Sequence, residues 1–184
     1  MIRAGRHDPS ELVMRDLVDT LIQENLWGFA DGAQQCRPAA LVAETLKPDE
    51  QWCRIDVAGG WVCFRTRATG ALQPCRFSRP PVWHGGSSGL QPRQLRPDEL
   101  LALLASGCSD LPQALQGGAD LRTAVQHAAV VLAGRARLTD ASPRSGGLLT
   151  AERLAATRNR PFHPTARAAI GWTEGELARY GPLR

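Results

Sequence analysis

Near the start of the chain, Met14, Leu17, Val18, Leu21 and Ile22 recur at helical spacing with polar residues between them. Apolar positions at this period predict an amphipathic helix that lays one stripe on a core. Its start is well marked, because Asp8 can cap, Pro9 fits the first helical position and Glu11 can complete a capping box. The helix is expected to run to about Asn25. The period then changes to two. Residues 52–57 (Trp-Cys-Arg-Ile-Asp-Val) and 61–67 (Trp-Val-Cys-Phe-Arg-Thr-Arg) are β-prone and alternating, and Ala58-Gly59-Gly60 between them supplies the positive φ values of a tight hairpin. A third run, Leu72 to Phe77, extends the expected sheet, and Cys53, Ile55 and Val57 share one of its faces. From Ser78 to Pro92 the chain is rich in Pro, Gly and Ser, which predicts a loop. Helical spacing returns at Leu100–Leu104, opened by Pro97-Asp98-Glu99, and again after Gly117-Gly118, where Leu121, Val125, Ala128, Ala129 and Leu132 form a stripe. Asp140 to Gly147 reads as a polar linker.

The order helix, hairpin sheet, helices points to an α+β fold in which a small antiparallel sheet is packed by helices, not to a wound parallel sheet. A chain of 184 residues with 43% hydrophobic positions suits one domain around one core.

Charge changes this picture only near the end. The formal net charge is +4, carried by 21 arginines and one lysine, Lys47, a bias that reflects genome composition. The arginines are scattered and do not interleave with aromatics, which argues against nucleic acid as a partner. Between residues 153 and 184, however, six arginines face Glu174 and Glu176, so that a local site for an anion competes with a solvated basic tail. The five cysteines are odd in number, form no C-x-x-C pair and follow no signal peptide, as expected of a reduced cytoplasmic chain whose cysteines are packing residues. The longest strongly apolar stretch, His127 to Gly134, falls far short of the ~20 residues of a membrane span. His84, beside glycines, has no second ligand at metal-like spacing, and His127 reads as an exposed or internally satisfied histidine. No catalytic or metal-binding residue is assigned.

The residues with chemistry lie in the last quarter. Thr150-Ala151-Glu152 begins a short helix that runs into Thr157-Arg158-Asn159-Arg160-Pro161-Phe162-His163-Pro164-Thr165-Ala166-Arg167, where the prolines must interrupt it. The result is a stiff turn bearing Arg160, His163, Thr165 and Arg167, which loses little entropy on gripping a ligand. Guanidinium groups bond bidentately to phosphate or carboxylate oxygens, so an oxyanion-rich ligand is the natural partner. A Pro-rich connection with solvated arginines is the competing reading. A weak helix over Ala166 to Ala169, ended by Gly171, is expected next along the chain. No phosphate-binding P-loop, dinucleotide fingerprint, H-E-x-x-H helix or G-x-S-x-G elbow occurs elsewhere.

The succession Glu152, Arg160-Pro161-Phe162-His163-Pro164-Thr165-Ala166-Arg167, Gly171-Trp172 and Tyr180-Gly181-Pro182 resembles the signature that closes the N-terminal region of aerobactin-synthetase-type (IucA/IucC) siderophore synthetases, which work without a nonribosomal peptide template. The first helix, from Arg15-Asp16-Leu17 through Glu24-Asn25-Leu26-Trp27-Gly28, is similar to the family's opening helix, so the resemblance spans residues 10 to 184. The sequence departs from the pattern at Asn159, where Gly is common, at Ala169, where many members have a second basic residue, and at Pro182-Leu183-Arg184, where members continue Pro-Glu-Phe into a further domain.

The resemblance implies a tail over 1–9, a helix and antiparallel-sheet lobe over 10–149, and a nucleotide-binding motif segment over 150–184 leading toward a missing palm domain. This is an N-terminal lobe truncated relative to the full synthetase. It further implies an ATP-dependent acid–amine ligase of siderophore biosynthesis, which adenylates a citrate-like carboxylate and passes the acyl group to an amine or alcohol. Arg160, His163, Thr165 and Arg167 would contact the nucleotide phosphates and Glu152 would be structural. ATP and Mg2+ are the implied cofactors, the Mg2+ ligands not being in this chain. Alone the chain is expected to be inactive and to self-associate, acting only with the palm domain or a second polypeptide. A non-catalytic binding, regulatory or protein-interaction module that retains the lobe stays open beside this reading.

Overall fold

The computed structural model describes residues 8–41, 43–68, 75–86, 91–106, 111–140, 165, 168–169 and 171–180. Helix α1 (Pro9–Gln23) begins where the sequence marks it, with the Asp8 carboxylate accepting from the Ser10 amide at 2.9 Å and Pro9 in the first turn. Its stripe of Val13, Met14, Leu17, Val18, Leu21 and Ile22 is buried, and each such side chain contributes about 1.5–3 kcal/mol of burial free energy. The helix ends as Asn25 turns left-handed at φ 46°, and its side chain then binds the Ala30 amide at 2.8 Å.

The hairpin is confirmed. Strands β1 (Glu50–Val57) and β2 (Gly60–Arg67) pair antiparallel from Glu50↔Arg67 to Val57↔Gly60, and Gly59 at the turn has φ 80°. Beside β2 lie β3 (Arg76–Phe77) and β4 (Trp83–Gly86), which pair with opposite ends of the same strand, and β5 (Arg93–Gln94) comes after β4. The path is β1-β2-β4-β5, with β3 pairing β2 off the path. Pro80 and Pro81 stand between β3 and β4, where residues without an amide hydrogen cannot continue the ladder. Of the expected third run, Arg76–Phe77 is strand, and 72–74 fall outside the described residues.

The segment expected to be a loop from Ser78 to Pro92 therefore contains a strand. The reason is in the glycines. Gly85 sits under the Trp61 ring, where an added Cβ would come within 2.1 Å of the indole, and a Cβ on Gly60 would lie 2.0 Å from the Gly85 carbonyl oxygen. These glycines permit a close backbone and ring approach and do not break the sheet.

The alternation of the strands sets two faces. Cys53, Ile55, Val62 and Phe64 face the main core, where Phe29 stacks on Phe64 at 5.4 Å between ring centroids. Trp52, Cys63 and the half-buried Trp61 and Trp83 face the other way and are covered by Leu41. Helix α1 touches β3, α2 (Pro97–Ala105) and α3 (Leu111–Asp140). At α2, the Glu99 carboxylate accepts from the Arg96 amide at 2.7 Å, closing the first turn. Helix α3 begins six residues before Gly117, not after Gly117-Gly118 as the pattern predicts. A Cβ on Gly117 would meet the Leu101 side chain at 3.0 Å, so the glycine lets α2 and α3 close up. That packing outweighs the roughly 1 kcal/mol a helical glycine costs. Residues 141–147 of the expected linker lie outside the described residues. The observed fold is thus a mixed α+β arrangement, a small antiparallel sheet packed by helices. Among the described residues, no helix is long and apolar enough to cross a membrane.

Candidate functional site

Of the side chains assigned to phosphate contact, Arg160, His163 and Arg167 lie outside the described residues, as does Glu152. Thr165 is described, half-buried in a turn. The chain just beyond Thr165 is tied down. The Ala168 amide donates to the Thr165 carbonyl at 2.9 Å, and Ala168 packs on the main core. The Ala169 amide donates to Nδ1 of His127 at 3.0 Å, and His127 is 2% exposed. The histidine is therefore internally satisfied, the second of the two states its sequence position allowed. Ala168 and Ala169 are not helical. Their hydrogen bonds are those of successive turns, the next being from the Trp172 amide to the Ala169 carbonyl at 3.0 Å, with Gly171 at φ 86°. A buried imidazole acceptor competes here for an amide that a helix would have used internally. Helix α4 comes only later, over Glu174–Tyr180, where the Thr173 hydroxyl and Glu176 carboxylate cap each other's backbone amides at 3.2 and 2.8 Å.

A second place gathers more charge. A cleft of about 440 Å³ opens where α1, the 47–49 segment, the end of β2 and β3 meet. Arg15, Lys47, Arg67, Arg76 and Arg79 line it, against Asp16, Asp19 and Asp49. Asp19 forms part of its wall and closes the sheet, since its carboxylate accepts from the Phe77 amide at 2.8 Å. Burial pushes the Asp19 carboxyl above its usual value, opposed by that hydrogen bond and by the fields of Arg76, Arg15 and Arg67. Three arginines from three elements thus converge on one carboxylate.

Behind the cleft, arginines fasten the 37–50 segment to the sheet. Arg79 grips Glu50 with Nε at 2.9 Å and the Thr45 carbonyl with Nη2 at 2.9 Å, while Ser78 donates to Glu50 at 2.6 Å. Burial would raise the Glu50 carboxyl, but hydrogen bonds from Arg79, the Lys47 amide and Ser78 overcome it and hold the group down at about 2. Arg65, fully buried, pairs with Glu44, donates to the Pro80 carbonyl at 3.0 Å and lies over the Trp52 ring at 4.8 Å. Its pKa is lowered by burial and by Arg79, against the pull of Glu44. Arg37 braces the segment from within through the carbonyls of Leu41 and Glu44, at 3.0 and 2.8 Å.

The remaining candidates are quiet. Burial raises the thiols of Cys53 and Cys75 and pushes Cys63 up to about 12, which suits packing residues and not nucleophiles. His84 sits in β4 opposite Arg93. Among the described residues, no group of three or more His, Cys, Asp or Glu side chains could hold a metal. Sequence reasoning missed the residues of this cleft and of its fastening, Asp16, Asp19, Glu50 and Arg79 among them. The signal available was weak: Asp16 and Asp19 interrupt the apolar stripe of α1 at a spacing that carries them into the packed side of the helix. Compared with known proteins, the chain matches no protein-family model and no curated sequence.

Proposed function

We propose that this chain is the N-terminal lobe of an ATP-dependent ligase of the siderophore-synthetase type, acting on a citrate-like carboxylate and an amine or alcohol in the cytoplasm. The observation that carries the reading is the unbroken order of Glu152, the Arg160–Arg167 run, Gly171-Trp172 and Tyr180-Gly181-Pro182. Two features are compatible with it. The lobe is an antiparallel sheet packed by helices, and Ala169, two residues after the Arg160–Arg167 run, donates its amide to His127 of α3.

The donor set suits a polyphosphate. In this reading Arg160 and Arg167 take phosphate oxygens bidentately, and His163 and Thr165 add one donor each. ATP supplies the adenylyl group that activates the carboxylate. The side chains of this chain orient the phosphates and neutralise the negative charge that grows on the departing pyrophosphate. Mg2+ in this reading is held by a palm domain or second polypeptide, which also supplies the carboxylate site. The lobe pairs with that partner or with a second copy of itself, and the exposed Trp172 and Tyr180 beside and on α4 offer apolar area for such a contact.

The test is carboxylate-dependent exchange of labelled pyrophosphate into ATP, with the chain alone and with an adjacently encoded palm polypeptide. Exchange is expected only on mixing, lowered about tenfold or more by His163→Ala or Arg167→Ala, each tenfold being about 1.4 kcal/mol. Nucleotide affinity of the mixture that is indifferent to both substitutions would end the proposal. A non-catalytic binding module is the second reading, favoured by the charged cleft, whose lining among the described residues comes from positions 15 to 79. Ligand binding there with no exchange under any pairing would select it.

A further inference from the structure

We propose that the cleft between α1, β3 and the 47–49 segment binds a small hydroxylated polyanion, its oxyanion groups on arginine and lysine and its hydroxyls on aspartate. Among the described residues, five cationic side chains from separate stretches of the chain line one cavity, and three aspartates leave two positive charges over. Asp19 is already committed to the Phe77 amide. Gathering like charges costs repulsion that an anionic ligand relieves. The volume of about 440 Å³ lies within the range of small-molecule sites. Phe77 is the one apolar lining residue among the described residues, so an apolar ligand has little to bury there. Guanidinium forks match phosphate and carboxylate oxygens, whereas a carboxylate such as Asp49 repels a bare anion and accepts from a hydroxyl. The combination selects a ligand that carries both groups.

The walls are held before any ligand arrives. Glu50 fixes Arg79 with bonds to both carboxylate oxygens, and Asp19 fixes the backbone of β3. Such preorganisation lowers the entropy lost on binding. The inference is independent of the ligase reading, because it is argued from described residues 15–79 and makes no use of the 160–167 run.

The experiment is calorimetric titration of the full chain with ribose 5-phosphate, tartrate and inorganic phosphate. Saturable binding of ribose 5-phosphate or tartrate, about tenfold tighter than inorganic phosphate, is expected, and which of the two binds tells whether phosphate or carboxylate is the anchor. The Arg15→Gln/Arg67→Gln pair removes two exposed cations from the rim and should weaken binding about tenfold or more. Arg122→Gln, on α3 at its bridge to Asp98, removes the same charge elsewhere and should leave affinity unchanged. Should the double variant lose its circular dichroism signature, Arg67→Gln alone at the strand end carries the test. Absence of saturable binding, equal losses in the Arg122 variant, or affinity untouched by the rim substitutions each overturn the proposal. Inorganic phosphate binding as tightly as the hydroxylated ligands overturns the role of the aspartates.

Discussion

Glu50 offers a measurement in which the sign and the size both come from the structure. Its carboxyl is held from 4.5 down to about 2 by Arg79, the Lys47 amide and Ser78. At about 1.36 kcal/mol per unit, the full difference is about 3 kcal/mol. Arg79 is 32% exposed, and screening at that partner brings the expected contribution nearer 2 kcal/mol. Because the folded value lies below the unfolded one, the folded state binds the proton more weakly. The stabilisation is complete above pH 4.5 and drains away as the pH falls through about 2. Glu50→Gln keeps the shape and removes the charge, so it should cost about 2 kcal/mol near neutral pH, a fall of roughly 4–8 °C in Tm for a domain of this size. Urea denaturation of both proteins at pH 7, 5, 4 and 3 reads the difference directly. By pH 3 more than half of it should have gone. A gap that keeps the same size from pH 7 to pH 3 would show that Glu50 acts through packing, and the electrostatic reasoning would be refuted.

Gly85→Ala should destabilise by about 1–3 kcal/mol, since its Cβ meets the Trp61 ring at 2.1 Å, with a change in tryptophan fluorescence as the ring is displaced; an unchanged emission spectrum and Tm would refute the close approach. His127→Ala leaves the Ala169 amide without its acceptor and should cost about 1–3 kcal/mol, read as faster hydrogen exchange at Ala169, whereas unchanged protection there would mean the bond does not form in solution. Alkylation of the native protein near pH 8 should modify the exposed Cys36 and spare Cys53 and Cys63, as mapped by peptide mass, because buried thiols raised above their usual range offer almost no thiolate; equal labelling would contradict the packing.

The parts of the fold legible in the sequence are those written in neighbouring residues. The stripe of α1 and the alternation of β1 and β2 around Gly59 each report a local period, and both elements form where that period lies. Strand β4 was hidden because Trp-His-Gly-Gly looks like a turn; it becomes a strand only when Trp61 from β2 lies over Gly85. The start of α3 was hidden likewise, since the value of Gly117 depends on Leu101 of another helix. The cleft was illegible for the same physical reason on a larger scale. Asp19 meets Phe77 at a sequence separation of 58 and Arg79 meets Glu50 at 29, so no window of sequence holds both partners. The Arg160–Arg167 run is the converse case: the expectation drawn from it rests on neighbouring residues alone, and Arg160, His163 and Arg167 lie outside the described residues.

The arginines divide into two kinds of work, and the division decides which of them a ligand could use. Arg65 and Arg79 are spent on carbonyls and carboxylates within the fold, tying the 37–50 segment to the sheet, and Arg37 braces that segment from within. Arg65 shows what this costs: its Nε is buried with no partner among the described residues, and the Glu44 pair, the Pro80 carbonyl and the Trp52 ring must offset the desolvation. Removing Glu44 alone would strand a buried charge, which is worse than lacking the pair altogether. Arg79 is bound to both oxygens of Glu50 and cannot swing toward an arriving anion without breaking that pair. It acts on the cleft through its field. The exposed Arg15 and Arg67, on α1 and at the end of β2, are therefore the side chains that must bend to a ligand, and their loss is the one that separates a binding cleft from a structural charge cluster.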